Sequence, residues 1–456
     1  MRAMSLLWLR ALRWSMGPLL LFLTGAAIAE EASVPVSTEG GESTRNVLEP
    51  DPRLANERPT WGALDSTGQG IVLFDSPNMG QVALSAYALV RYIDQRPAQQ
   101  TFLDHLGNEH EVDPRRDIQF HRAMIHLKGW FYTPKFRYQV TVWTVMSTDQ
   151  TTLYGFLGYQ FSKWFNLYGG INTPGGSRSV MGSHPLWLAN DRVMADEFFR
   201  GSFTGTVWAN GELLPGLWYH LAVVNNLSQL GVTAAQLTRD LGTGYGMWWM
   251  PTTHEFGPQG AYGDWEYHET PATRFGFSHI RSRENRQTLE NNNPENTQVR
   301  LADSLLLFNT GSLAPGVTVQ FADWESVSVD AGFKYKGMFL QAEYYRRRLD
   351  SFVADGPLPV GKIVDDGFYV QGAFFPIKQK LELYGATSWV FGDKDAGFGE
   401  SREYLIGTNY YPARTRKLRV NAQIIDVKKS AMSSTFGFYV GGQTGTTYSV
   451  AASMLF

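Results

Sequence analysis

Arg122, His126 and Lys128 share one face of the segment Ile118–Phe131, while Ala123, Ile125, Leu127 and Phe131 take the other. A period of two sends the two sets to opposite faces of a strand. The next segment adds Lys135 and Arg137. Arg200, Arg274, Lys334, Lys336, Arg347 and Arg419 occupy comparable polar positions further along, opposed by Asp330 and Glu343. No such residue can do chemistry alone, and each by itself would only solvate a polar wall. Gathered around a water-filled passage, side-chain charges set which ion enters easily, and a basic set favours anions.

A second set lies between two strand-like segments. Residues 173–200 form a 28-residue connection carrying Arg178, Arg192 and Arg200 beside Asp191, Asp196 and Glu197. Connections of that length are usually functional. Residues 183–198 are expected to form a short helix, with the three acids facing the three arginines across a passage. Such opposition would set up a transverse field.

The elements that must position these residues are strands. Val327, Val329, Ala331, Phe333 and Tyr335 alternate with Ser328, Asp330, Lys334 and Lys336; Val317, Val319 and Phe321 precede them in the same pattern and predict a hairpin. Met338, Leu340 and Ala342, and later Leu418, Val420, Ala422 and Ile424, repeat it. About twenty such segments can be marked, among them 261–267, 302–308 and 434–440, and no apolar run approaches the roughly 20 residues of a spanning helix. Alternation alone also fits a soluble sandwich.

Three features favour a transmembrane antiparallel β-barrel. The first 29 residues have the form of an export signal, with Arg2, Arg10 and Arg13, an apolar stretch from Met16 to Ile28, and Ala27-Ile28-Ala29 before Glu30. The chain has no cysteine. Aromatic residues cluster at segment ends, as in Trp130-Phe131-Tyr132, Trp164-Phe165, Trp248-Trp249 and Tyr410-Tyr411. The last segment, 446–456, places Tyr448, Val450, Ala452, Met454 and Phe456 on one face. The expectation is an all-β barrel over 61–456 of about 16 strands, within a range of about 14 to 18, after a signal peptide (1–29) and a polar, disordered stretch (30–60).

Composition excludes several functions. The formal charge is −3, from 40 Lys+Arg against 43 Asp+Glu. No basic excess is available for nucleic acid. Cysteine absence removes disulfides, thiolate metal sites and thiol nucleophiles. No HExxH, GxSxG or P-loop occurs. Asp393, Asp395, Gly397 and Glu400 miss the calcium-loop spacing and read as an acidic surface loop. Thr243-Gly244-Tyr245-Gly246 reads as a strand start. No cofactor is expected.

The stretch Gly169-Gly170-Ile171-Asn172-Thr173-Pro174-Gly175-Gly176, the long segment to Arg200, Gly205-Thr206-Val207-Trp208 and the run Leu217–Asn225 together resemble the phosphate-selective porin O and P family. That resemblance implies a 16-stranded trimeric outer-membrane porin whose long loop folds inward and whose arginine- and lysine-lined constriction passes anions such as phosphate. Its partners would be membrane lipid and small anionic or polar solutes. A looser kinship with general porins for polar solutes fits equally well. The rival readings are a structural or adhesive barrel, and a barrel hydrolase, for which Ser183-His184 is the only local pair and lacks a third member.

Overall fold

The computed structural model describes residues 70–145, 150–180, 185–229, 232, 234–257, 260–288, 294–434 and 437–456. The export signal, the stretch 30–60 and the pair Ser183-His184 lie outside them. The strands are β1 (Ile71–Ser76), β2 (Gly80–Pro97), β3 (Thr101–Leu103), β4 (Glu109–Glu111), β5 (Arg116–Phe131), β6 (Thr133–Val145), β7 (Gln150–Gln160), β8 (Asn166–Asn172), β9 (Thr204–Leu214) and β10 (Leu217–Val224). They continue as β11 (Gly242–Trp249), β12 (Ala272–Asn285), β13 (Val319–Tyr335), β14 (Met338–Ala354), β15 (Lys362–Ile377), β16 (Leu381–Phe391), β17 (Glu400–Tyr410), β18 (Leu418–Lys428) and β19 (Gly445–Leu455).

Strands β2 and β5–β19 pair antiparallel, each with the next, and β19 returns to β2, closing a barrel of 16 strands. Closure hides every edge. Side chains obey the alternation: in β11, Thr243, Tyr245, Met247 and Trp249 are exposed while Gly242, Gly244, Gly246 and Trp248 are buried. Exposed apolar residues such as Ile125, Leu127, Val329, Leu340 and Ile424 form the outer belt, which in a membrane meets hydrocarbon.

The two ends of the barrel differ. At one end β5 and β6 are joined by Tyr132 alone, and β13 and β14 by Lys336-Gly337. Both residues of that second turn have positive φ, 48° and 84°. This is the mirror-image turn whose twist matches the strands, and glycine adopts it freely. Lys336 is therefore an exposed turn residue, and not the lumen charge expected from the sequence. The same end carries exposed Phe131, Tyr132, Trp164, Phe165, Trp249 and Tyr410, an interfacial girdle, while neighbouring Trp130, Trp248 and Tyr411 turn inward. At the other end the segments 173–203 and 286–318 are long.

Three expected strands are absent and two merge. Residues 261–267, 302–308 and the described residues of 434–440 form no strand, and 316–323 runs into 326–336 as the single strand β13, whose register shifts near Phe321 replace the expected hairpin. β1 was not anticipated. It pairs with Gly80–Leu84 of β2, on the edge that β19 uses from Tyr87 to Pro97.

The chain ends in the wall. Ala86 and Phe456 exchange two backbone hydrogen bonds of 3.0 and 3.1 Å. Deleting Phe456 removes both and the rim aromatic. The expected result is a markedly lower yield of heat-modifiable barrel on gels after refolding into detergent, with the Phe456→Tyr variant assembling normally.

Candidate functional site

Segment 173–203 leaves the wall between β8 and β9, and its described residues, 173–180 and 185–203, cross the lumen. Gly175 and Gly176, at φ 89° and 99°, make the turn inward. Its far part holds a single six-residue helix, α1 (Met194–Phe199), in place of the longer one expected from 183 to 198. The backbone N–H of Met194 donates to Glu403 Oε2 on β17 at 2.8 Å, and that of Ala195 to Ser388 Oγ on β16 at 2.7 Å. Those strands stand opposite β8 and β9 in the ring. Asn190 bonds Asn421 and Ser449, while Asn409 and Arg419 donate to Leu188 O and Trp187 O. The segment is thus a constriction loop pinned across the full width of the barrel.

The pinning is partly apolar. Phe198, Phe199, Leu188 and Met194 are buried against Trp324, Tyr345, Leu349 and Tyr369, which face inward from β13–β15. The lumen is therefore not lined by polar groups alone, as alternation suggested. A loop that brings apolar side chains inside needs apolar wall residues to receive them.

The expected opposition of acids and arginines takes another form. Arg200 pairs with Glu197 at 2.6 Å, and Arg192 lies 3.7 Å from Asp196 and 3.9 Å from Glu197, all on the loop itself. Residues three or four apart on one helical turn meet each other before they can reach a distant wall. Only Asp191 reaches the basic wall, with Arg122 at 2.9 Å, His121 at 3.6 Å and Arg91 at 3.8 Å. Burial alone would raise its pKa, but Arg122, His121 and Arg91 hold it well below the usual carboxylate range. With the folded value depressed, this contact is fully present above the ordinary carboxylate pKa of about 4 and is lost only as pH falls below that. Arg178 turns elsewhere, stacking on Tyr262 at 4.2 Å and donating to Gly260 O at 2.5 Å.

Of the wall residues, Arg122, His126 and Arg137 are buried on the lumen side and Lys128 is half-buried, while Lys135 is exposed at the rim. His126 Nδ1 lies 2.8 Å from Thr141 Oγ1. Arg274 donates to Asp330 at 2.6 Å, Arg347 to Asp365, and Lys334 to Phe256 O and Ala261 O at 2.8 Å each. Arg91, His121 and Asp365 were missed. A bulge explains His121: Leu89 faces Arg122 and Val90 faces Phe120, so an extra residue turns inward. Among the described residues, the buried Arg, Lys, Asp and Glu on β5–β10 are Arg122 and Arg137, both basic, whereas the buried wall acids Glu284, Asp330, Glu343, Asp365, Glu382 and Glu403 lie on β12–β17.

Residues 266–436 match the family model described as phosphate-selective porin O and P. Over that stretch, which runs from β12 to β18, the chain is similar to that porin family. No curated protein matches it by sequence. Among solved structures, OmpT of Vibrio cholerae superposes with a TM-score of 0.52 at 13% identity, covering 84% of this chain and 100% of that one. Salmonella typhi OmpF, solved with daunomycin, gives 0.52 at 13% identity, covering 85% and 100%. A trimer form of the Vibrio cholerae OmpT gives 0.52 at 11%, covering 83% and 100%. The shared feature is the fold. The protein has the closed 16-stranded antiparallel β-barrel fold of these outer-membrane proteins.

Proposed function

We propose that this protein is a passive outer-membrane channel for small hydrophilic solutes, with a preference for anions, working as a homotrimer and not as an enzyme. The preference rests on one observation. The lumen face of β5 and β6 gathers Arg122, His126, Lys128 and Arg137 against one half-buried acid, Asp117, and a loop pinned across the barrel narrows the passage beside them. A strip of one sign in a low-dielectric wall lowers the entry barrier for the opposite sign. The family name supports phosphate as one solute, and the trimer form of a similar barrel supports the assembly.

Reversal potentials in a salt gradient test the preference. Arg122→Ala and Arg137→Ala channels are expected to shift toward cations, each by roughly twofold in permeability ratio. Unchanged selectivity in both would remove the strip from the filter.

A further inference from the structure

The end with the short turns has one exception. Residues 250–271 connect β11 to β12 where two-residue turns serve other pairs, and the described ones, 250–257 and 260–271, enter the lumen instead of skirting it. Ala261 and Asp264 are fully buried, and Tyr262 nearly so. Lys334 holds the carbonyls on either side, Phe256 O and Ala261 O. Asp264 accepts from the N–H of Gly337 at 2.7 Å, and the N–H of Lys336 donates to His268 O at 2.8 Å. Tyr262 N donates to Leu186 O of the constriction loop at 2.9 Å. The segment is a strap across the short-turn mouth, which in outer-membrane barrels is the periplasmic one.

Its far side is held differently. Glu266 Oε1 lies 3.1 Å from Arg416 Nη1, in the turn before β18, and both side chains keep some exposure. Next to this pair a cavity of about 20 Å³ is lined by Trp187, Tyr262, Tyr411, Arg416 and Arg419, among others, and its only charged lining groups are the two arginines. That is room for about one water. Arg416 meets Glu266 through the single Nη1 contact, a guanidinium accepts any oxyanion in its place, and exchanging one partly exposed carboxylate for another costs little. Asp264, Glu266 and His268 also lie within 4.8 Å of one another, but Glu266 faces the cations Arg416 and Lys334, so the cluster is an ion-pair network.

We propose that this segment is an anion-displaceable strap, in which the carboxylate or phosphate group of a passing solute takes the place of Glu266 against Arg416 and frees the mouth. It rests on the channel reading above. No bond is made or broken; one ion pair replaces another.

Single-channel recording in planar bilayers at constant ionic strength tests it, using the purified full chain, Glu266→Gln, Arg416→Gln and a form with residues 251–270 replaced by Asn-Gly. In potassium chloride the shortened form and both point variants are expected to conduct about twofold more than the wild type. Adding sodium benzoate or inorganic phosphate should raise wild-type conductance and leave Glu266→Gln unchanged. A response to benzoate alone, phosphate alone or both identifies the oxyanion and supports the strap in each case. Wild-type conductance in the shortened form and in Glu266→Gln, or a conducting wild type indifferent to both anions, overturns it. Silence of every folded form would instead contradict the channel reading.

Discussion

Asp191→Ala channels are expected to conduct more than the wild type and to favour anions more strongly. Asp191 is the single contact between the acids of the constriction loop and the basic wall, and it lies within 4 Å of Arg122, His121 and Arg91. Truncating it leaves two buried guanidiniums without their shared counter-charge, a situation that typically costs about 3–5 kcal/mol. Detaching that part of the loop relieves the penalty and widens the passage. The exposed positive strip then acts on solutes unopposed; a change of about 1 kcal/mol in the entry barrier is roughly fivefold in permeability ratio. Asp191→Asn keeps an acceptor for Arg122 and should lie between the two. The readouts are single-channel conductance and reversal potential. A normal conductance with unchanged selectivity in Asp191→Ala would mean that the loop is held without this contact.

Asp365→Ala is expected to destabilise the barrel by about 3–5 kcal/mol, because it strands the fully buried Arg347. Arg347 Nε donates to Asp365 Oδ2 at 3.0 Å, and its guanidinium stacks 4.1 Å from the Phe198 ring and 4.9 Å from Trp324. The pair therefore also supports the far end of α1. The double variant Arg347→Met/Asp365→Leu replaces both charges with apolar groups in an apolar surround and should recover most of the loss. Urea or thermal unfolding of detergent-folded protein, followed by heat-modifiable migration, reads both. Equal destabilisation in the single and double variants would show that packing, and not the unpaired charge, carries the effect.

The wall was legible because its physical rule is local. Ser328, Asp330 and Lys334 alternate with Val327, Val329 and Phe333 since one face meets lipid and the other does not, and β13 follows that pattern. The pattern fails where another segment packs inside. Arg91 shares its lumen face with buried Leu89 and Ile93, so it stands in no polar row that would mark it. Residues 261–267 read as a strand in the sequence, yet 261–264 are buried in unbroken succession, because they pack between a wall and a loop and not as one face of a sheet. The destination of the constriction loop depends on Ser388 and Glu403, some 200 residues away, and no spacing within 173–200 encodes such partners. The acids there were legible as a group, and their pairing was not: Asp196 and Glu197 are claimed by Arg192 and Arg200 on the same turn, and only Asp191 reaches the wall.

Current through the purified protein in a planar bilayer, under a potassium chloride gradient, tests the central claim most directly. Stepwise conductance with a reversal potential on the chloride side is the predicted result. A folded, heat-modifiable barrel that stays silent, or one that reverses on the potassium side, would contradict it.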